Sequence, residues 1–287
     1  MTDLAYVNGT ILPFAEATIS IEDRGFLFGD GVYEVIRCYR GVPFLLDEHL
    51  ARLATSLAAI RLELPFDIGD LAAIFGDLLA RSQEKEAVLY LQITRGVAPR
   101  NHLFPASPRP TVIATVRPAE PPTPDERAHG IRLITVDDAR WGRCDVKTTN
   151  LLANVLAKQA AHEKGGQEAL LVDEAGFITE GGVSNFFAVV DRTIITHPKS
   201  VHILPGITRD FAIELAGGLD IAVDERKVGL DEAVRWDEAF VTGTTKEVLP
   251  VVRIDDQRIG DGRPGPVAGE LASAFQQAVD AAVKERA

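Results

Sequence analysis

The sequence predicts two α/β or α+β domains in which mixed and antiparallel sheets are flanked by helices. Short apolar runs separated by turn signals occupy the first part of the chain, and helical and strand patterns alternate in the second part. One proline-rich run lies between the two parts. A composition of 46% hydrophobic and 25% charged residues over 287 positions is typical of a globular protein with a sizeable core.

The first domain is expected to span residues 1–118. Asn8-Gly9 predicts a hairpin turn, and Arg40-Gly41 predicts a second one. We expect Asp47 to cap one helix and Asp67 to begin another. The apolar faces of these helices are formed by Leu50, Leu53, Leu57 and Ile60, and by Leu71, Ile74 and Leu78. Strand patterns follow at 87–94 and 111–116.

The proline-rich run at 117–124 predicts a linker over residues 119–126, and the second domain then spans 127–287. This domain is expected to contain Lys147. Strands are expected at 131–135, 168–172, 185–190 and 238–242, and helices at 151–163, after Pro205-Gly206, and at 266–286. The order of the elements is mixed, which favours mixed sheets.

Charge and cysteine content exclude several classes of function. The net charge of −12 disfavours binding to nucleic acid or to an anionic membrane surface. No apolar run is long enough to span a bilayer, and the first residues lack the pattern of an export signal. Cys38 and Cys144 are too few for a disulfide framework or a structural zinc site. We therefore expect a cytoplasmic protein without a metal site.

Lys147 is the lysine whose surroundings indicate chemistry. It lies between a predicted strand and a predicted helix, in Trp141-Gly-Arg-Cys-Asp-Val-Lys-Thr-Thr-Asn150. A lysine held at such a junction in a partly apolar shell can lose its proton and form an imine. Taken alone, the segment favours a surface or ion-paired lysine beside Asp145.

Two segments have the features of phosphate sites. Leu204-Pro-Gly-Ile-Thr-Arg-Asp210 places a glycine and a hydroxyl residue at a predicted helix start, where unpaired N–H groups attract an anion. Val241-Thr-Gly-Thr-Thr-Lys-Glu247 concentrates hydroxyl residues around a glycine after a strand. Its Thr-x-x-Glu spacing also fits a capping box at an ordinary helix start. Arg52 could supply a countercharge.

Two further segments could contact a ring and a carboxylate. Glu180 follows an apolar strand and precedes two glycines, so it could keep a pyridine nitrogen protonated, or be an ordinary turn glutamate. Arg100 and His102 lie two residues apart in the loop Arg95-Gly-Val-Ala-Pro-Arg-Asn-His102. Arginine suits bidentate binding of a carboxylate, although a solvated loop explains the pair equally well.

Together and in this order, these segments resemble the fold-type IV pyridoxal-phosphate enzymes. Within that group the sequence is similar to the bacterial D-amino-acid aminotransferases along essentially the whole chain. The resemblance rests on residues 22–34, 95–102, 140–147, 179–185 and 206–210.

The resemblance implies transamination of D-amino acids of the D-alanine or D-glutamate type with 2-oxo acids, by a ping-pong mechanism with pyridoxal 5′-phosphate as cofactor. Lys147 would bind the cofactor as a Schiff base and move a proton between the substrate Cα and C4′. Glu180 would pair with the pyridine nitrogen. The implied phosphate ligands are Arg52, the Ile207 and Thr208 backbone, and Thr244.

The resemblance also implies substrate ligands. Tyr33, Arg100 and His102 would bind the α-carboxylate, with His49 lining the same region. The loop with Arg100 and His102 would reach in from a neighbouring subunit, so a homodimer is implied. Arg37 stands where the family pattern has lysine and is expected to touch the substrate side chain.

Departures from the D-specific pattern affect the expected substrate range. They are Arg37, Gly243 in place of a serine, and Pro205 in place of a polar residue. The nearest rival is an L-branched-chain aminotransferase, which would use Lys147 and Glu180 but bind the carboxylate on the opposite side of the pocket. Weaker rivals are an aminodeoxychorismate lyase and a non-catalytic ligand-binding homologue.

Overall fold

The computed structural model describes residues 3–286, which divide into two compact units. The first unit runs to Ala119 and adds Val146–Asn150 and the end of the chain from Ala282. The second unit comprises Glu120–Asp145 and Leu151–Ala281.

The first unit is an antiparallel sheet with helices packed on it. Its elements are β1 Leu4–Val7, β2 Thr10–Pro13, a 3-10 turn Phe14–Glu16, α1 Arg24–Phe28, β3 Gly31–Tyr39, β4 Val42–Pro43, α2 Leu46–Ala59, α3 Asp70–Ser82, β5 Ala87–Thr94 and β6 Thr111–Pro118. Among the described residues the six strands follow the order β2-β1-β6-β5-β3-β4. Both hairpin predictions are confirmed, because Val7 pairs with Thr10 and Tyr39 pairs with Val42.

The two helices have the predicted apolar faces but different first residues. α2 begins at Leu46, after Leu45 in the left-handed conformation (φ 54°), and it has no side-chain cap. Asp47 lies in its first turn, so the cap prediction is wrong. α3 begins at Asp70, because the Asp67 carboxylate accepts a hydrogen bond from Gly69 N (2.7 Å) in the turn before the helix. The faces pack into one core with the sheet, through Leu50, Leu53, Leu57, Leu71, Leu78, Val32, Ile36, Leu89 and Leu91.

The second unit is built on a larger mixed sheet. Its elements are α4 Pro124–His129, β7 Ile131–Asp137, α5 Leu152–Glu163, β8 Glu168–Val172, β9 Phe177–Gly181, β10 Asn185–Val190, β11 Thr193–Thr196, α6 Ile207–Gly218, β12 Val223–Glu225, β13 Val228–Gly229, a 3-10 helix Leu230–Arg235, β14 Glu238–Gly243, β15 Glu247–Ile254, β16 Gln257–Arg258 and α7 Pro266–Glu285.

The described part of that sheet follows the order β12-β11-β10-β14-β15-β7-β8-β9-β13, with β16 beside β15. Neighbours are parallel at β11–β12, β15–β7 and β7–β8 and antiparallel elsewhere. The core holds inward side chains of several strands, including Leu133, Leu170, Phe186, Val241 and Leu249. Mixed and antiparallel sheets with flanking helices are the predicted fold class, which is confirmed. No helix within residues 3–286 is long and apolar enough to cross a membrane.

The predicted linker is partly helical. Thr123 Oγ1 accepts a hydrogen bond from Glu126 N (3.2 Å), and Glu126 Oε2 accepts one from Thr123 N (2.8 Å). This capping box starts α4 at Pro124, where the fixed φ of proline suits the first helical turn. The irregular connection between the last strand of the first unit and α4 is therefore shorter than residues 119–126.

The segment Val146–Asn150, here called the lysine segment, groups with the first unit and not with the second domain in which the sequence placed it. Tyr33 N donates to Lys147 O (3.0 Å), and Thr148 Oγ1 donates to Gly31 O (3.0 Å). Val146 is buried in the first core. The segment thus pairs with the start of β3, which no local sequence pattern reveals.

Candidate active site

Lys147 is held by its backbone between β3 and α2. Lys147 N donates to the hydroxyl oxygen of Ser56 on α2 (3.2 Å), and Lys147 O accepts from Tyr33 N on β3 (3.0 Å). Its half-buried side chain places Nζ 4.3 Å from the centre of the Tyr33 ring. Two tertiary hydrogen bonds on one residue fix where its side chain begins. This placement suits a lysine that must present its amino group at a defined point.

The residue after Tyr33 on β3 is a buried carboxylate. Glu34 is fully buried and accepts two hydrogen bonds from Arg52, from Nε and from Nη2, both at 2.8 Å. His49 Nδ1 lies 2.8 Å from Glu34 Oε2. Because His49, Arg52 and Ser56 are spaced three and four residues apart on α2, they share one helix face. Of the sequence-predicted residues, Lys147 therefore meets Tyr33, and His49 and Arg52 meet at Glu34.

The protonation states in this group follow from its charges. Burial alone would raise the pKa of Glu34, but the charge and hydrogen bonds of Arg52 and the bond with His49 lower it to about 2. Burial lowers the pKa of His49, and the charges of Arg52 and Lys147 lower it further. The hydrogen bond and the charge of Glu34 raise this pKa but do not offset the lowering. At neutral pH the group therefore contains an ionised glutamate, an arginine and a neutral histidine.

Arg37 has a different environment. Its buried guanidinium donates to the carbonyls of Cys38 and Ala87 and to Glu86, and it stacks on Tyr39. Tyr33 pairs with Gln92 whereas Arg37 pairs with Val88. The two backbones therefore lie four residues, or about 13 Å, apart along β3. These contacts favour a structural role for Arg37, so its predicted contact with substrate gains no support.

Arg100 and His102 lie in an exposed part of the loop after β5. The Arg100 guanidinium carbon lies 5.2 Å from the centre of the Phe28 ring, and the His102 ring centre lies 5.4 Å from it. The structure therefore keeps this predicted pair together, both beside one aromatic ring at the end of α1.

In the second unit, Glu180 lies one residue before the end of β9 and is a buried carboxylate with several donors. Leu204 N lies 3.1 Å from both carboxylate oxygens, and Asn185 Nδ2 donates to Oε2 (2.9 Å). Arg140 Nη1 donates to Oε1. Arg140 is itself fixed by a two-point ion pair with Asp138, from Nε (2.9 Å) and Nη2 (2.8 Å). A carboxylate with this many fixed donors has one orientation.

Burial and charge act in opposite directions on Glu180. Burial raises the pKa of its carboxyl to about 7, even though the charge of Arg140 and the hydrogen bonds from Arg140 and Leu204 lower it. Asp138 raises it further. Such a carboxyl would be stabilised in its ionised form by a nearby cation, which is what a protonated ring nitrogen would provide.

The start of α6 has the geometry of an anion site. Gly206 is its N-cap, and no side chain caps the helix. A Cβ on Gly206 would lie 2.0 Å from Asn185 Oδ1, so this position requires glycine. Asn185 Nδ2 also donates to Leu204 O (2.9 Å), which joins this helix start to Glu180. Ile207 and Thr208 occupy the first turn of the helix, where backbone N–H groups favour a phosphate.

Thr244 lies in a hairpin turn and not at a helix start. Gly243 pairs with Glu247 across β14 and β15, so the capping-box interpretation is wrong. The turn lies close to the residues that follow Glu180 in the chain, because a Cβ on Gly243 would lie 3.6 Å from Val183 O. Within the described residues, Ser184 Oγ and Thr242 Oγ1 are buried without a hydrogen-bond partner. This part of the second unit therefore offers hydroxyl groups beside a helix N-terminus.

Four residues of these groups were missed as site residues by the sequence reasoning: Glu34, Ser56, Arg140 and Asn185. Glu34, Arg140 and Asn185 lie inside the segments that carried the resemblance, and this was a signal for them. Ser56 had none, because its partner Lys147 is 91 positions away.

Comparison with known proteins places this architecture in one family. The family model for amino-transferase class IV matches residues 31–254. The D-alanine aminotransferase of Bacillus licheniformis is 44% identical over 272 residues, covering 95% of each chain. Among solved structures, the branched-chain amino acid aminotransferase of Escherichia coli superposes with a TM-score of 0.90 at 28% identity, covering 96% of this chain and 94% of that one. That of Thermoproteus uzoniensis, solved with norvaline, gives 0.86 at 26% identity, covering 97% and 95%.

The chain is therefore an aminotransferase. It belongs to the class IV aminotransferase family, in agreement with the resemblance carried by its motifs.

Proposed function

We propose that this chain transfers the amino group of D-amino acids to 2-oxo acids, with pyridoxal 5′-phosphate as cofactor. The observation that carries this proposal is the placement of Lys147. Its backbone is fixed by Ser56 and Tyr33, and its amino group lies 4.3 Å from the Tyr33 ring centre. The relative at 44% identity is a D-alanine aminotransferase, which supports the D configuration.

The residues present fit the cofactor. Gly206 can have no Cβ, the start of α6 has no side-chain cap, and two hydroxyls nearby are buried without partners. A phosphate group satisfies such donors. Ile207, Thr208, Thr244 and Arg52 would hold the phosphate, Glu180 the ring nitrogen, and Lys147 the aldehyde carbon. When bound, pyridoxal phosphate supplies an electron sink that makes the Cα–H bond of an attached amino acid acidic.

Lys147 is the proton carrier in this proposal. Its Nζ, once released from the cofactor, would take the proton from the substrate Cα and deliver it to C4′ of the cofactor. Because its backbone is fixed on both sides, the amino group would move between these two atoms by side-chain rotation. Glu180 keeps a proton on the ring nitrogen, which requires an ionised carboxylate. Arg140 favours that ionised form.

Arg100 and His102 would bind the α-carboxylate, and Tyr33 would complete the carboxylate site. The carboxylate position decides the handedness. When the lysine is fixed, moving the carboxylate to the other side of the pocket changes which enantiomer points its Cα–H bond at that lysine.

A cytoplasmic homodimer is part of the proposal. Leu152, Val155 and Leu156 on α5 are exposed apolar side chains at helical spacing, and Leu103 in the loop after β5 is exposed as well. Apolar side chains that share one exposed helix face, as those of α5 do, are typical of a surface that a partner covers. Both cysteines are free, which is compatible with a reducing compartment.

A half-reaction experiment tests the proposed function. The holoenzyme is mixed with D-alanine and, separately, with L-leucine. The measurement follows the loss of the absorbance band that the lysine-bound cofactor has near the edge of the visible range. We expect D-alanine to remove this absorbance. Preference for L-leucine would instead support the branched-chain activity of the structural neighbours.

Arg100→Ala tests the carboxylate role. We expect binding of D-alanine to weaken by about 1.5–3 kcal/mol, the scale of a charged hydrogen bond, while cofactor absorbance is retained. An unchanged Michaelis constant for D-alanine would contradict the D-specific carboxylate site.

A further inference from the structure

The Phe28 ring contacts three cationic or aromatic side chains at once. Arg100 lies 5.2 Å and His102 5.4 Å from the ring centre, as described above. The guanidinium carbon of Arg24 lies 4.8 Å from the same centre. Cations placed over an aromatic face are attracted by the ring quadrupole. The ring therefore restrains both residues proposed to bind the carboxylate.

Arg24 fixes the backbone on both sides of His102. It is 3% exposed, and its Nη1 donates to Asn101 O (2.5 Å) and to Leu103 O (3.3 Å). Its Nε donates to Asp30 Oδ2 (2.8 Å). A guanidinium can serve a carboxylate and two carbonyls at once because its five donors lie in one rigid plane, which an ammonium group lacks.

Asp30 connects this arrangement to the body of the first unit. It also accepts two contacts from Arg95 Nε, at 3.1 and 2.9 Å. Arg95 is 2% exposed, and it donates to the carbonyls of Ile60 (2.7 Å) and Arg61 (3.1 Å) at the end of α2. Its guanidinium lies 3.7 Å from the Phe104 ring centre. One carboxylate therefore ties residues 95–104, here called the carboxylate loop, to α1 and α2.

Exposed arginine and histidine side chains on a loop would normally sample many conformations, and ordering them weakens binding. Here the order is present before substrate binds, because Arg24 holds the backbone on both sides of His102 and the Phe28 ring contacts Arg100 and His102. Preorganisation of this kind improves substrate affinity without any new contact to the substrate.

We propose that Phe28 and Arg24, oriented by Asp30, are positioning residues that hold Arg100 and His102 in the arrangement that binds the substrate α-carboxylate. This inference rests on the proposed function, because it requires that Arg100 and His102 meet the carboxylate. Neither Phe28 nor Arg24 touches the substrate or the cofactor in this role.

Two variants of the holoenzyme test the inference. Phe28→Leu removes the ring but keeps an apolar side chain, and Arg24→Lys keeps the charge beside Asp30 but loses the planar fork. We expect each to raise the Michaelis constant for D-alanine roughly 5- to 30-fold, the effect of one or two kcal/mol, with a much smaller change in kcat. The dissociation constant of the cofactor should stay within about twofold. Amide hydrogen exchange of residues 97–104 should become faster.

Controls separate positioning from a general loss of structure. Phe28→Tyr retains the ring and should restore both the Michaelis constant and the exchange rate. Phe14→Leu is a matched control, since Phe14 is also a phenylalanine under an arginine, with Arg117 4.1 Å from its ring centre, but lies beside β2. Phe14→Leu should change neither quantity.

The outcomes distinguish the inference from the function beneath it. If Arg100→Ala raises the Michaelis constant for D-alanine and Phe28→Leu and Arg24→Lys do not, the positioning role is overturned and the carboxylate site stands. If none of the three variants changes it, the carboxylate site is overturned together with the positioning role. Unchanged exchange of residues 97–104 in both positioning variants would also overturn the inference.

Discussion

Arg140 controls the charge of Glu180, and replacing it with methionine tests that control directly. Glu180 is 4% exposed, and burial raises the pKa of its carboxyl to about 7 even with Arg140 in place. Arg140→Met removes both a cation and a hydrogen-bond donor from the carboxylate. We expect the pKa of Glu180 to rise above 7. At neutral pH the carboxyl would then be protonated and unable to hold a proton on the ring nitrogen.

The size of the effect follows from the contact that is lost. A hydrogen bond to a charged group contributes about 1.5–3 kcal/mol, and about 1.4 kcal/mol corresponds to one pKa unit. The pKa of Glu180 should therefore rise by about one to two units in Arg140→Met. The shift must be upward, because Arg140 lowers the pKa of Glu180 in the wild type.

The assay is the affinity of the apoenzyme for pyridoxal phosphate as a function of pH. In the wild type, affinity should rise as pH increases through about 7, because the ionised carboxylate binds the cationic ring nitrogen. In Arg140→Met the same rise should occur at higher pH. Glu180→Gln provides the reference, since it retains the titration of the cofactor phosphate and lacks the carboxyl. We also expect Glu180→Gln to slow the half-reaction on the order of a hundredfold.

Asp138 supplies the control for charge. Arg140→Met alone leaves Asp138 without its two-point ion pair, and Asp138 itself raises the pKa of Glu180. The double variant Asp138→Asn/Arg140→Met removes that contribution, so its midpoint should lie between those of the single variant and the wild type. Identical midpoints in wild type and Arg140→Met would refute the reasoning.

Three further predictions concern the other groups of the site. Lys147→Ala should fold but fail to turn over without added amines, and normal turnover would exclude Lys147 as the cofactor lysine. Glu34→Gln should remove a stabilisation of up to about 3 kcal/mol that the wild type has above pH 4.5 and loses as pH falls toward 2. Denaturant titration of both proteins from pH 6 to 3 measures the difference in their free energies of unfolding. A difference that stays constant over this pH range would contradict the prediction. Gly206→Ala should weaken cofactor binding and destabilise by about 1–3 kcal/mol, because its Cβ would meet Asn185 at 2.0 Å. Gly217→Ala, with nothing within 4 Å in the same helix, is its control and should do neither.

Elements with strong local patterns were predicted closely. β5 matches its predicted range, and α5 begins one residue later than expected, at Leu152. The start of α2 was missed because the turn before it uses Leu45 in a left-handed conformation, which apolar periodicity does not reveal. The Thr244 segment was open to a helical interpretation because a capping box and a hairpin turn favour the same small polar residues. Pairing of Gly243 with Glu247, which only the sheet determines, decides the outcome.

The site residues were named from motifs, but their partners come from distant parts of the chain. Arg52 was expected as a countercharge for phosphate, and its carboxylate partner Glu34 lies 18 positions earlier, on β3. Arg37 was expected to touch the substrate because it stands where the family pattern has lysine. In the structure Glu86, 49 positions away, binds its guanidinium. Long-range ion pairs of this kind leave no local periodicity from which to infer them.

The lysine segment affects the order in which the chain can assemble. The start of strand β3 gains its backbone hydrogen bonds with Val146–Asn150 only after residues 120–145 of the other unit have been made. During synthesis from the N-terminus, residues 1–119 therefore emerge with this edge of their fold incomplete. The contacts between Val146–Asn150 and β3 join residues that are far apart in sequence, and contacts of this kind slow folding. Expression of residues 1–119 alone would give a fragment without the lysine and with Val32 deprived of its bridge to Thr148. A functional split of this protein would have to fall after Asn150, not at the proline-rich run.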